Sequence, residues 1–339
     1  MVITFPSVIW IAVDDKIISA TEKRKLKQLP DFPRTTDALK KYPGEFDTYY
    51  MDQFGFRDQL YSLYHLITFS MKIPPPSPLF IVGKEGWIYY TGDRVIDDYR
   101  NADLFTSEEL EAFKACLEAK YYCLKNKNIE YLLVVVPNKH TIYSEYLPSG
   151  IKQTGNKSRL DQLTEYMRDS EVPVINLRYA LLEAKKKYRV YHKTDSHWNF
   201  LGANTGQYEV AKFLNKIWPE IEPCSAADGK IQWKEDKGGD IANILGLSEN
   251  LKELKPEVVD SNFDKKTDEK NYSKNLLVYG DSFSETLVPF LSNYFDNTSS
   301  FLTRPSYSFL KKQVKSETTD IVIEEYVERH LKKFLTHCK

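Results

Sequence analysis

Residues 131 to 136 read Tyr-Leu-Leu-Val-Val-Val, and no position among them offers solvent a charged or amide side chain. Successive side chains of a strand point to opposite faces, so a strand built from such a run is apolar on both faces and must be covered on both. Leu276-Leu277-Val278-Tyr279 has the same character. Two such runs argue against an antiparallel sheet with one wet face. They predict an α/β fold in three layers, with a mostly parallel central sheet between helices and both runs as central strands. At 339 residues and 42% hydrophobic content, the chain is long enough for that core and a smaller appendage.

The rest of the pattern supplies the helices and turns. Val2 to Val13 is apolar but shorter than the roughly 20 residues of a membrane span. It reads either as a buried strand or tail, or as the end of a membrane anchor. Residues 14 to 42 are charged and read as an extended lead-in. Glu45 to Met71 is helical in period, interrupted at Phe54-Gly55-Phe56-Arg57. Pro74-Pro75-Pro76 and Pro78 form a linker, which divides residues 1–75 from a main domain over 76–339.

Within that domain, Leu79–Val82 and Trp87–Tyr90 flank a Gly-Lys-Glu-Gly turn and read as a hairpin. Thr106 and Glu109 make a capping box for the next helix. Further helices are expected near 157–168, 177–187, 200–218, from the Ser282 turn to about 295, and over 324–335. Strands are expected at 172–177, 300–303 and 321–323. The polar stretch 261–274 reads as a loop.

Composition excludes some partners. Lys and Arg number 47 and Asp and Glu 48, so nothing demands a polyanion, and no nucleic acid is expected. The run Lys185-Lys186-Lys187 reads as a solvated helix end. Cys116 and Cys123 fall on one helix, too far apart to bond, and the spacing of the four cysteines suggests neither a zinc site nor a disulfide framework.

Two motifs carry chemistry. Thr194-Asp195-Ser196-His197-Trp198 sets a carboxylate two residues before a histidine. Gly280-Asp281-Ser282-Phe283-Ser284 sets a serine on a glycine turn after a buried strand. Together they supply a nucleophile (Ser282), a general base (His197) and an orienting carboxylate (Asp195). A serine beyond the carboxyl end of such a strand lies at a helix N-terminus, where free N–H groups can receive an oxyanion. Each residue has a plainer reading as well: Ser282 as a helix N-cap, His197 as a surface histidine, Trp198 as core. An Asp-x-His pair would also suit a metal, but no second cluster completes a ligand set. No metal or cofactor is expected. Asn138 and Lys139, just after a buried strand, and Arg304, after another, are candidates to line the site or assist the oxyanion.

The order of these pieces resembles the SGNH-hydrolase-like family of exopolysaccharide O-acetyltransferases, typified by the alginate acetylation proteins AlgJ and AlgX, with the related bacterial DHHW proteins. The matching residues are Asp52–Arg57, Val82–Trp87, Val134–Lys139, Thr194–Trp198, Gly202-Ala203, Gly239-Asp240 and Gly280–Ser284. The resemblance implies an SGNH-hydrolase-like fold in permuted order, with Asp and His before Ser. It also implies a triad of Ser282, His197 and Asp195, an acetyl-serine intermediate and a polysaccharide acceptor. A membrane-bound O-acyltransferase as acetyl source and a membrane-anchored, extracytoplasmic location follow from the same likeness. The same triad would serve a carbohydrate acetylesterase, and a vestigial one would leave a carbohydrate-binding or assembly protein.

Overall fold

The computed structural model describes residues 14–19, 24–71, 73, 79–225, 227, 229–259 and 273–338. Val2–Val13, the linker prolines and nearly all of the 261–274 stretch lie outside these. The chain forms two compact units, residues 1–77 with 237–252, and residues 78–236 with 253–339. The sequence division groups 237–252 with the main domain, whereas in the fold they belong to the first unit.

In the first unit, helix α1 (Thr36–Gln53) starts where the Thr35 hydroxyl accepts the Ala38 N–H at 3.2 Å. That is nine residues before the helical pattern becomes legible at Glu45, and Pro43 is accommodated inside the helix. The lead-in therefore ends at Thr35, and within it Ile18 and Lys25 form an antiparallel bridge. Phe56, in the left-handed region with φ of 60°, separates α1 from α2 (Arg57–Ser70). Arg24 grips Asp52 with two hydrogen bonds of 2.8 and 2.6 Å and holds its carboxyl well below the usual range.

The second unit opens with the expected hairpin, β1 (Phe80–Val82) antiparallel to β2 (Ile88–Tyr90). The Thr106–Glu109 capping box starts α3 (Ser107–Lys125). There follow β3 (Glu130–Val136), α4 (Lys139–Ile142), α5 (Arg159–Tyr166), β4 (Val174–Asn176), α6 (Arg178–Lys185) and α7 (Phe200–Ile217). An antiparallel ribbon of β5 (Lys230–Asp236) and β6 (Glu253–Val259) comes next. Then come β7 (Asn275–Tyr279), α8 (Ser284–Leu291), β8 (Asn297–Phe301), α9 (Tyr307–Gln313), β9 (Ile321–Val327) and α10 (Leu331–Phe334).

The main sheet runs β4-β3-β9-β7-β8 with every pair parallel, so all five strands end at one edge. Both apolar runs are interior strands. Their alternation divides the core: Leu132, Val134 and Val136 pack with Leu181 of α6, Leu214 of α7 and Leu287 of α8. Tyr131, Leu133 and Val135 pack on the other face with Phe113 of α3, Leu163 of α5, Leu310 of α9 and Phe334 of α10.

Two expectations are corrected. Glu324 to Val327 continue the middle strand β9 instead of opening the closing helix, which is confined to the short turns after Glu328. Cys116 on α3 is disulfide-bonded to Cys338, across 222 residues of sequence, with Cα atoms 5.5 Å apart. The pairing lies far outside any local spacing pattern.

Candidate active site

β7 delivers Gly280-Asp281-Ser282 to the carboxyl edge of the sheet. The turn is tight because a Cβ on Gly280 would come within 2.9 Å of both the Ser284 side chain and the Glu325 carboxyl. Helix α8 has Phe283 at its N-cap position with no side-chain cap, and the Ser284 hydroxyl donates to the Asp281 carbonyl at 2.7 Å. The Ser282 hydroxyl is directed elsewhere.

Asp281 anchors the turn from below. Its Oδ2 accepts from Arg304 at 3.0 Å and from the Val327 N–H at 3.1 Å, and faces His330 Nδ1 at 3.2 Å. Its Oδ1 accepts the Phe283 N–H at 3.1 Å. Burial acts against its charge, but His330, Arg329 and the Val327 amide outweigh it and hold the carboxyl well below its usual range. Beside it, Glu325 accepts the Asp281 N–H at 3.1 Å; burial and the Asp281 charge push its carboxyl well above the ordinary value.

The second motif lies on the loop entering α7. Tyr191 and Trp198 form an antiparallel bridge that closes the loop. The Asn199 side chain caps α7 by accepting the Leu201 and Gly202 N–H groups at 2.9 and 3.1 Å. Trp198 is core, as its plainer reading has it, and its indole N–H donates to the Phe283 carbonyl at 3.2 Å. That contact joins the two motifs. Between them stands His197, with Nδ1 2.7 Å from Asp195 Oδ1 and Nε2 2.6 Å from Ser282 Oγ. The His197 N–H also donates to Asp195 Oδ1 at 2.9 Å. With its proton on Nδ1 and donated in a hydrogen bond to the carboxylate, the ring has Nε2 left to accept from the hydroxyl.

The structure brings Ser282, His197 and Asp195 together and gives the other three candidates inward partners. Asn138 is fully buried; its amide donates to Asp98 at 2.7 Å and its N–H to Glu328 at 3.0 Å. Lys139 donates to three main-chain carbonyls, of Ile88, Lys193 and Asp195. Arg304 braces Asp281 and lies over the Tyr326 ring. Residues missed from sequence are the supports: His330 and Glu325 beneath the serine turn, and Glu253, which holds the Asp195 loop. Glu253 lies in a charged stretch without a motif, and no local signal marks it.

Residues 80–314 match the family model described as "SGNH hydrolase-like domain, acetyltransferase AlgX". A protein of Pseudomonas syringae pv. tomato named "Probable alginate O-acetylase AlgJ" is 22% identical over 71% of this chain and 60% of its own length. Its namesake in Pseudomonas aeruginosa is 21% identical over 68% of this chain and 58% of its own. The chain thus spans about 60% of the length of these curated relatives. Among solved structures, Bacillus cereus PatB1 shares the fold with a TM-score of 0.52 at 18% identity, covering 75% of this chain and 97% of that one.

Proposed function

The chain belongs to the SGNH hydrolase-like acetyltransferase domains of the AlgX family, and from that membership we propose that it transfers acetyl groups to hydroxyls of a polysaccharide. The observation that carries this reading is the single imidazole within hydrogen-bond reach of both a strand-end serine and a carboxylate.

In the first half-reaction Ser282 Oγ attacks the acetyl carbonyl while His197 Nε2 takes the hydroxyl proton. The carbonyl oxygen becomes an oxyanion beside the N-terminal end of α8, the positive end of that helix's dipole, which would favour the developing charge. Collapse breaks the bond to the donor oxygen, and His197 returns the proton to that leaving group. In the second half-reaction a sugar hydroxyl attacks the acetyl-serine, His197 takes its proton, and the proton passes to Ser282 Oγ as the ester bond breaks. Asp195 keeps the ring in the productive tautomer and steadies the imidazolium. The named relatives support a polysaccharide acceptor. A membrane-bound O-acyltransferase is the proposed acetyl source. The Cys116–Cys338 disulfide supports an oxidising, extracytoplasmic setting. No helix among the described residues is long and apolar enough to cross a membrane.

The test is acetyl transfer from a chromogenic acetyl ester to a panel of oligosaccharides, followed by mass spectrometry. Wild type is expected to acetylate at least one acceptor. Ser282→Ala is expected to lose turnover with an unchanged melting temperature, since loss of the nucleophile in comparable triads costs about a million-fold. Acetate release with no acceptor acetylated would make the protein an esterase. Full activity in Ser282→Ala would refute the reading.

A further inference from the structure

The loop bearing Asp195 and His197 is held by two buried charges of opposite sign. Lys139, the first residue of α4, is 2% exposed. Its Nζ donates to the carbonyls of Ile88 at 2.6 Å, Lys193 at 2.8 Å and Asp195 at 2.9 Å. An ammonium has three donors, and these three acceptors tie β2 to two residues of the loop. The rings of Trp87 and Tyr89, each 5.1 Å from Nζ, line the remaining approach. On the other side of the Lys193–Thr194 peptide is Glu253, the first residue of β6 and 6% exposed. It accepts the Lys193 N–H at 2.7 Å, the Thr194 N–H at 3.2 Å and the Thr194 hydroxyl at 2.6 Å.

Carbonyls face the cation and amides face the anion, so each charge meets the complementary end of the peptide dipoles. Buried charges are costly unless fully hydrogen-bonded, and here most of the bonding goes to the Lys193–Asp195 segment, with Ile88 of β2 beside Lys139 and the Arg189 guanidinium 3.3 Å from Glu253. The segment so held ends at the carboxylate that orients the histidine.

We propose that Lys139 and Glu253 are positioning residues that clamp the Lys193–Asp195 backbone, presetting Asp195 against His197 Nδ1 and the ring's Nε2 against Ser282 before substrate arrives. The inference rests on the proposed reading of Ser282, His197 and Asp195 as the reacting groups. A misplacement of about 1 Å in such a set can cost about 100-fold in rate.

The experiment follows sulfonylation of Ser282 by phenylmethanesulfonyl fluoride, by intact-mass and peptide mass spectrometry, across pH. The full chain is compared with Lys139→Met, Glu253→Gln, Thr194→Val and Thr194→Ser, each also melted by circular dichroism. Lys139→Met and Glu253→Gln are expected to react about 10- to 100-fold more slowly, with a displaced pH–rate profile. With a chromogenic acetyl ester they should lose kcat at unchanged KM. Thr194→Val should be slowed and Thr194→Ser, which keeps the hydroxyl, should react like wild type. If Lys139→Met does not fold, Glu253→Gln and the Thr194 pair decide. Folded variants that react at the wild-type rate with an unchanged pH profile overturn the clamp while leaving the Ser282 reading intact. A wild-type protein not sulfonylated at Ser282 overturns both.

Discussion

Asp98 is buried against the Asn138 amide at 2.7 Å and lies 3.5 Å from the Arg159 guanidinium. Burial first, and the nearby Glu328 charge second, push its carboxyl from the ordinary 3.8 up to about 7. Between those values the folded chain holds a proton that the unfolded chain releases. The contribution of this group to stability is therefore fully present below the unfolded value and is lost as pH rises through about 7. Asp98→Asn keeps an acceptor for Asn138 and cannot titrate. Its melting temperature should fall less between pH 5 and pH 8 than that of wild type, measured by calorimetry. Parallel pH slopes for the two proteins would count against a protonated Asp98. The same neighbourhood explains what the sequence conceals at the site. The meeting of Asp195, His197 and Ser282 is legible because each motif sets its polar side chains at a short spacing. Asn138, Lys139 and Arg304 are marked for the site only by following strands, and nothing local tells that Asp98, the Asp195 carbonyl and Asp281 take up their donors.

Among the elements, β9 is the least legible and the most central. Ile321-Val322-Ile323 announces a strand, and Glu324-Glu325 then looks like the solvent side of a helix. In the fold both glutamates are fully buried in the middle strand of the sheet. Glu324 is admitted there because Lys120 of α3 donates to its two oxygens at 2.8 and 3.0 Å and the Tyr131 hydroxyl donates at 3.1 Å. Lys120 is 204 residues away in sequence, so periodicity cannot reveal it. By contrast the buried positions of β3 and β7 are apolar or aromatic, and those of α7 are mostly so, with Asn204 and Gln207 as the polar exceptions, and their positions follow from the sequence. Removing one member of a dry ion pair leaves the other charge uncompensated. Lys120→Met should thus cost about 3–5 kcal/mol in urea unfolding. Lys120→Met with Glu324→Gln, which keeps an acceptor for Tyr131, should recover most of that loss. A single-variant cost below about 1 kcal/mol would place the pair in the range of exposed ion pairs and contradict its burial.

At the scale of the whole molecule, the three layers are foreseeable from two apolar runs, but the covalent tie between α3 and the chain's last described turn is not. Cys116 and Cys338 are brought together by α3 and the C-terminal turns, which share the core on one face of the sheet. Cys123 and Cys224 remain free thiols. A cross-link spanning 222 residues restricts the unfolded chain strongly, and native disulfides typically contribute about 2–5 kcal/mol. Protein produced under oxidising conditions and denatured without reductant should therefore take up two alkyl groups from iodoacetamide, and four after reduction, as the four cysteines of the chain require. Cys338→Ser should melt lower than wild type, and adding reductant should bring wild type down to the variant while leaving the variant unmoved. Four alkyl groups on the unreduced wild type would remove the disulfide, and with it the structural support for an oxidising compartment. The Ser282, His197 and Asp195 geometry would be untouched, because none of its hydrogen bonds passes through either cysteine.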